Sequence, residues 1–217
     1  MIRIIGTLLA SLLLAFTLNA EEKSYYFDEK GIQREVLENY LDRSMTLSNV
    51  LVPREGEAQL ADDIRMIKHT GVKFVGRAIM VWEKEHVLAD PAFWSKAKAI
   101  TEELHAYDPD IVFQGCLFEA ISEEVKQIEI PAWAFEGLGL KPEKRHFRYA
   151  DMLNTEGKYV DHWHKGGSVP DISRPETQLW FYYLACSYIN IGCEAFHLGQ
   201  IELIGMNDPE RAYWIEL

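Results

Sequence analysis

Basic side chains are scarce in this chain of 217 residues: 22 Lys and Arg stand against 34 Asp and Glu, a formal net charge of −12. That balance argues against nucleic acid as a partner, because affinity for it comes largely from Lys and Arg neutralising phosphates. The same deficit leaves little to hold the chain electrostatically on anionic lipid. Cysteine is scarce too. Cys116, Cys186 and Cys193 are an odd number, which leaves at least one thiol unpaired in an oxidising compartment. All three lie in apolar runs and read as small buried hydrophobes, although a bridge between Cys186 and Cys193 stays open. None has zinc spacing. No Gly-rich loop follows a strand candidate, so the nucleotide-phosphate cradle is missing. No Gly-x-Ser-x-Gly elbow occurs, so acyl transfer by serine has no support.

What remains is a chain with 48% hydrophobic and 12% aromatic residues, enough for a packed globular core. Its first twenty residues, "MIRIIGTLLASLLLAFTLNA", place Arg3 before an apolar stretch and a more polar exit. That layout is a secretory signal peptide over residues 1–20, with cleavage expected after Ala20. The apolar stretch is short for a membrane span, which needs ~20 residues. The expected product is exported, periplasmic or extracellular, with no membrane attachment after cleavage. Residues 21–217 then form one domain.

Helical and strand patterns alternate along that domain. "GIQREVLENYLDRS" repeats Ile32, Val36, Leu37, Tyr40 and Leu41 at helical spacing. "MTLSNVLV" is the first strand candidate. "EGEAQLADDIRMIKHTG" is a helix with Gly71 at its C-cap. "VKFVGRAIMVW" is the second strand, and "DPAFWSKAKAITEELHAYDPD" a helix opened by Asp90 and Pro91. "IVFQGCLFEAI" is the third strand. "PETQLWFYYLACSYINIG" is a helix, residues 193–205 ("CEAFHLGQIELIG") a fourth strand, and "NDPERAYWIEL" begins a helix with Asp208 as cap.

Near-continuously apolar strands alternating with helices mean an α/β protein with a parallel sheet covered by helices. Between an open doubly wound sheet and a TIM-type parallel (β/α) barrel, the missing phosphate loop favours the barrel. Such a barrel has eight strands over ~250 residues. Four strand–helix units imply either the front part of a longer protein or a half-barrel completed by a second copy, a homo-oligomer. Residues 123–174, between the third strand and its helix, far exceed an ordinary loop and are expected to build the mouth of a site.

Side chains alternate along a strand, so Gln200 and Glu202 share a face with Phe196 and Leu198 in the fourth strand candidate. Glu119 sits near the end of the third. With strands ~4.8 Å apart, the two carboxyl groups come within roughly 5–10 Å of each other. Two carboxylates at that range suit glycosidic cleavage, one protonating the leaving oxygen while the other attacks or activates water. Burial and repulsion hold their pKa values apart. Glu202 and Glu119 are therefore the catalytic candidates. Arg77, Gln200, Trp82, Glu83, Trp163, Asp171 and Arg174 are the substrate-binding candidates, with Trp82, Trp133 and Trp163 as surfaces for sugar rings. "HWH", His162 to His164, lacks a third ligand at diagnostic spacing, so no metal and no cofactor is expected.

On "VKFVGRAIMVW", "IVFQGCLFEAI", "SVPDISRPETQLWFYYLA" and "HLGQIELIG", residues 32–217 resemble the secreted (β/α)8-barrel glycoside hydrolases and related bacterial barrel proteins. In the largest clan of these, a Glu preceded by Asn ends the fourth strand and a second Glu ends the seventh. Here Ile201 precedes Glu202. The resemblance implies an exported enzyme hydrolysing oligo- or polysaccharide. The alternatives are a carbohydrate-binding barrel without catalysis and a metal-dependent barrel lyase or isomerase.

Overall fold

A computed structural model describes residues 23–28, 31–53 and 57–216. The expected signal peptide lies outside them. In chain order the elements are α1 (Arg34–Asp42), β1 (Ser44–Thr46), α2 (Glu57–Thr70), β2 (Phe74–Ile79), α3 (Pro91–Tyr107), β3 (Val112–Leu117), β4 (Ile121–Ser122), α4 (Ala132–Gly137), β5 (Gly167–Ser168), α5 (Pro175–Asn190), β6 (Ala195–Leu198), α6 (Ile201–Ile204) and α7 (Ala212–Glu216). Short 3₁₀ turns fill the connections at Glu85–Ala89, Glu123–Gln127 and Tyr149–Met152.

β1, β2, β3 and β6 form one parallel sheet in that order, each new strand adding to the same side. This is an α/β fold with helices against a parallel sheet, as the alternation of patterns implies. The core runs from Val75 and Ile79 of β2 through Phe113 of β3 to Leu104 of α3 and Phe181 and Tyr188 of α5, all nearly inaccessible. A smaller cluster sits at the opposite end of the strands. Val36 and Tyr40 of α1 pack there on Phe74, Val112 and Ala195, the first residues or neighbours of β2, β3 and β6.

The helix signals act as local chemistry requires. The Asp90 carboxylate accepts the Ala92 N–H at 2.8 Å, with Pro91 at the first helical position. Gly71 takes φ +63 beyond α2, a conformation that strains any residue carrying a Cβ. Asp208 caps α7 from a distance, accepting the N–H groups of Ala212 (2.8 Å) and Tyr213 (3.1 Å).

Two strand boundaries depart from expectation. β1 ends at Thr46, yet Leu47, Asn49 and Leu51 still donate to carbonyls of residues 76–78, so an irregular edge follows β2. The fourth strand is the larger correction. It stops at Leu198, and residues 201–204 turn into α6. Gly199 makes the last ladder bond, to the Leu117 carbonyl, after which the Gln200 N–H turns to a side chain instead of a neighbouring strand. Gln200 and Glu202 therefore do not lie on a strand face.

Residues 123–174 fold back across the sheet end. The β4–β5 pair is antiparallel, Ile121 against Ser168. Arg145 clamps Glu176 of α5 with two bonds of 2.7 and 2.8 Å, and Glu176 also accepts the Arg148 N–H. The three thiols are free, so Cys186 and Cys193 are not bridged, and burial pushes Cys116 up to about 11 and Cys193 to about 12.

Candidate functional site

A cavity of ≈ 360 Å³ opens at the C-terminal ends of β2, β3 and β6. Arg77 and Trp82 reach it from β2 and its loop, Phe118 and Glu119 from the end of β3, His197 and Gln200 from β6 and its exit. In parallel α/β proteins this is the end where loops converge and ligands bind. A wider cleft of ≈ 920 Å³ shares Met80 and Trp82 with it and runs out past Lys84 and Lys96. Grooves of ≈ 620 and ≈ 610 Å³ lie on the helical flanks, along α2 and along α3 and α5, away from the strand ends.

Glu119 is buried and held on both oxygens. Gln200 donates its backbone N–H to Oε2 at 3.0 Å and its side-chain amide to Oε1 at 2.8 Å. Burial alone would push this carboxyl up. The Gln200 donors, its own backbone N–H and the nearby His197 outweigh that, leaving its pKa below the ordinary value of 4.5. Glu119 is thus a carboxylate at neutral pH. Gly199 makes the clamp possible: a Cβ there would stand 2.0 Å from Glu119 Oε2 and 3.0 Å from Phe118 Cδ1.

Phe118 is the hub of the apolar side. The Arg77 guanidinium lies 5.7 Å from its ring centroid, Trp82 meets it edge-on at 5.9 Å, and His197 does so at 5.2 Å. Arg77 itself occupies the left-handed region, φ +55, where the β2–β3 register shifts between Val75 and Ile79. Such a conformation costs a β-strand residue with a Cβ about 1 kcal/mol or more and persists only where its surroundings enforce it. The enforcement is visible. The Arg77 N–H donates to Gln114 Oε1 at 3.2 Å, and its carbonyl accepts from Asn49. The bulge turns this long cation out of the sheet and over Phe118.

Outside the cavity the aromatic wall continues. Trp82 contacts Trp163 edge-on at 5.7 Å, and Trp163 contacts His162 at 4.6 Å. Glu83, at φ +57, holds His164 by a 2.7 Å ion pair. His164 Nδ1 points at the Lys165 carbonyl, 2.9 Å away, so both ring nitrogens face acceptors, an arrangement that favours the protonated ring. That carbonyl first, then the Glu83 carboxylate, raises the His164 pKa above 6.5. Among the described residues no three His, Cys, Asp or Glu side chains cluster as a metal ion would require.

Arg77, Trp82, Glu119 and Gln200 thus meet in one cavity, with Trp163 and Glu83 on its rim side. The other candidates stand elsewhere. Glu202 is exposed on α6 and does not line the cavity, because the chain turns helical before reaching it. Asp171 is fully buried and accepts from Asn154, Asn207 and both the N–H and hydroxyl of Ser173. It ties three segments together. Arg174 precedes α5 and donates to the Asp151 carbonyl at 3.1 Å. Sequence reading missed Phe118 and His197. His197 carried one available signal, an ionisable ring at the end of an apolar run, but strand alternation assigned it to the face opposite Gln200. Comparison with protein families, with curated proteins and with solved structures finds no match.

Proposed function

We propose that this chain recognises carbohydrate in the cavity at the strand ends. The observation that carries the reading is the mixed make-up of its lining. Trp82 and Phe118 offer apolar rings, while Glu119, Gln200, His197 and Arg77 offer hydrogen-bonding groups in the same cavity. A sugar ring has the same division, with C–H faces for aromatic contact and hydroxyls for polar partners. A cavity of ≈ 360 Å³ falls at the small end of ligand sites, roughly 300–1,000 Å³, and suits one sugar unit of a longer chain.

Hydrolysis of the glycosidic bond is the second reading, favoured by one observation. Glu119 is held ionised, the state in which a carboxylate attacks an anomeric carbon or activates water. A partner acid is required, and Glu202 stands exposed two residues beyond Gln200 rather than in the cavity. We also read the parallel sheet, with strand order following chain order, as an arc of a (β/α) barrel. Export, inferred from residues 1–20, brings such a chain to glycans outside the cell; sequencing the mature N-terminus tests it.

Binding is measured by titrating neutral and acidic oligosaccharides while following tryptophan fluorescence, and turnover by released reducing ends. Carbohydrate recognition predicts saturable binding that Trp82→Ala weakens by roughly tenfold or more. No binding by the wild-type chain to any oligosaccharide refutes it. Under the hydrolytic reading Glu119→Gln binds without turnover. Binding by wild type with no reducing ends released leaves recognition alone.

A further inference from the structure

Arg77 lines the cavity as a cation in direct contact with no carboxylate of the described residues. Its side chain makes no ion pair and no hydrogen bond among the described residues; its contact is the Phe118 ring, 5.7 Å from the guanidinium carbon. Glu119, the carboxylate that lines the same cavity, takes one bond on each oxygen from Gln200 and none from Arg77. Arg145 shows how this chain treats a structural arginine, with Glu176 filling two nitrogens and Glu143 the third. Arg77 receives no such partner, although acidic residues outnumber basic ones by 34 to 22. It also sits on a strained bulge, φ +55, that turns it toward the cavity.

From this we infer that the cavity takes an acidic sugar, one carrying a carboxylate or a sulfate, with Arg77 receiving the anionic group. The inference rests on the carbohydrate reading and narrows it. The guanidinium is a planar fork of donors that matches two oxygens of a carboxylate or sulfate at once. Stacking on Phe118 orders the long side chain beforehand, so less freedom is lost when an anion binds. Glu119 keeps its negative charge while Gln200 holds it, so it repels an anion from its own side of the cavity and offers its remaining lone pairs to sugar hydroxyls, which leaves Arg77 as the place for the anionic group. The anionic substituent is placed at Arg77 and the ring over Trp82.

The test uses the full chain on an array pairing neutral glycans with uronate-containing and sulfated counterparts. It is read for wild type, Arg77→Gln and Arg77→Gly; the glycine variant removes the side chain while relieving the backbone conformation, so folding is protected. Expected are wild-type signals on acidic members, lost by roughly tenfold to a hundredfold in both variants, with a clearly smaller loss on neutral members, which lose one hydrogen-bonding group and no charge pairing. Uronate and sulfate arms identify which anion is read. Signals confined to neutral glycans, or acidic signals that survive both substitutions, overturn the inference while leaving carbohydrate recognition standing. Silence on every member removes that reading and this inference with it.

Discussion

Adding one methyl group at residue 199 tests the geometry of the cavity most directly. A Cβ at Gly199 would lie 2.0 Å from Glu119 Oε2 and 3.2 Å from its Cδ, so Gly199→Ala forces movement. Neither side yields easily. The backbone at 199 donates to the Leu117 carbonyl at 2.9 Å, and the carboxylate is held by Gln200 at 3.0 and 2.8 Å. Glu119 is only 6% exposed, so displacing it breaks bonds that water replaces only in part. Hydrogen bonds to a charged group contribute about 1.5–3 kcal/mol each, and partial resolvation returns some of this. The expected loss is about 2–4 kcal/mol in urea unfolding at neutral pH. Because the folded pKa of Glu119 is depressed, its stabilisation is full above the ordinary value of 4.5 and is lost as pH falls through the folded value. The gap between wild type and Gly199→Ala must therefore narrow on acidification. Gln200→Ala, which spares the backbone donor, should cost about half as much. A Gly199→Ala protein within about 0.5 kcal/mol of wild type, with Glu119 still titrating below 4.5, refutes the clamp.

Three further outcomes are expected. Arg145→Met leaves the Glu176 carboxylate, at 7% side-chain exposure, without its counter-ion and with only the Arg148 N–H, and should cost about 3 kcal/mol in urea, most of it recovered in the Arg145→Met/Glu176→Met double variant. His164 should titrate above 6.5 by NMR, and Glu83→Gln should lower that value without restoring it fully, because the Lys165 carbonyl remains. With a raised folded pKa, the stabilisation from this pair is present below 6.5 and fades as pH rises through the folded value; wild-type titration at 6.5 would refute the pairing. Asp208→Ala should lose about 1 kcal/mol of thermal stability, and no change would show that its two acceptor contacts to α7 are idle.

Elements governed by neighbours in sequence could be read in advance. Asp90 and Pro91 open α3, Gly71 closes α2, and the parallel direction of the four strands follows from alternation of apolar runs with helices. Features decided by distant partners could not. "HLGQIELIG" fits both an alternating strand and a short helix, since Ile201 and Ile204 are three apart; the choice falls to the Gln200 N–H, which bonds Glu119 eighty-one residues away. The same event decides the candidate site. It brings Gln200 onto Glu119 and takes Glu202 out to solvent. Arg77 was visible as an odd guanidinium in "FVGRAIM", but its bulge depends on Gln114 and Asn49, partners from β3 and from the stretch after β1. Asp171 looked like a rim acid because its partners Asn154 and Asn207 lie in segments with no periodic pattern.

The packing of α1 over the starts of β2, β3 and β6 has a practical corollary. The cavity lies at the other extremity of those strands, about 20 Å away for a six-residue strand. A chain immobilised on a sensor through residues upstream of α1 would point its mouth at the bulk liquid, whatever glycan is then flowed across it.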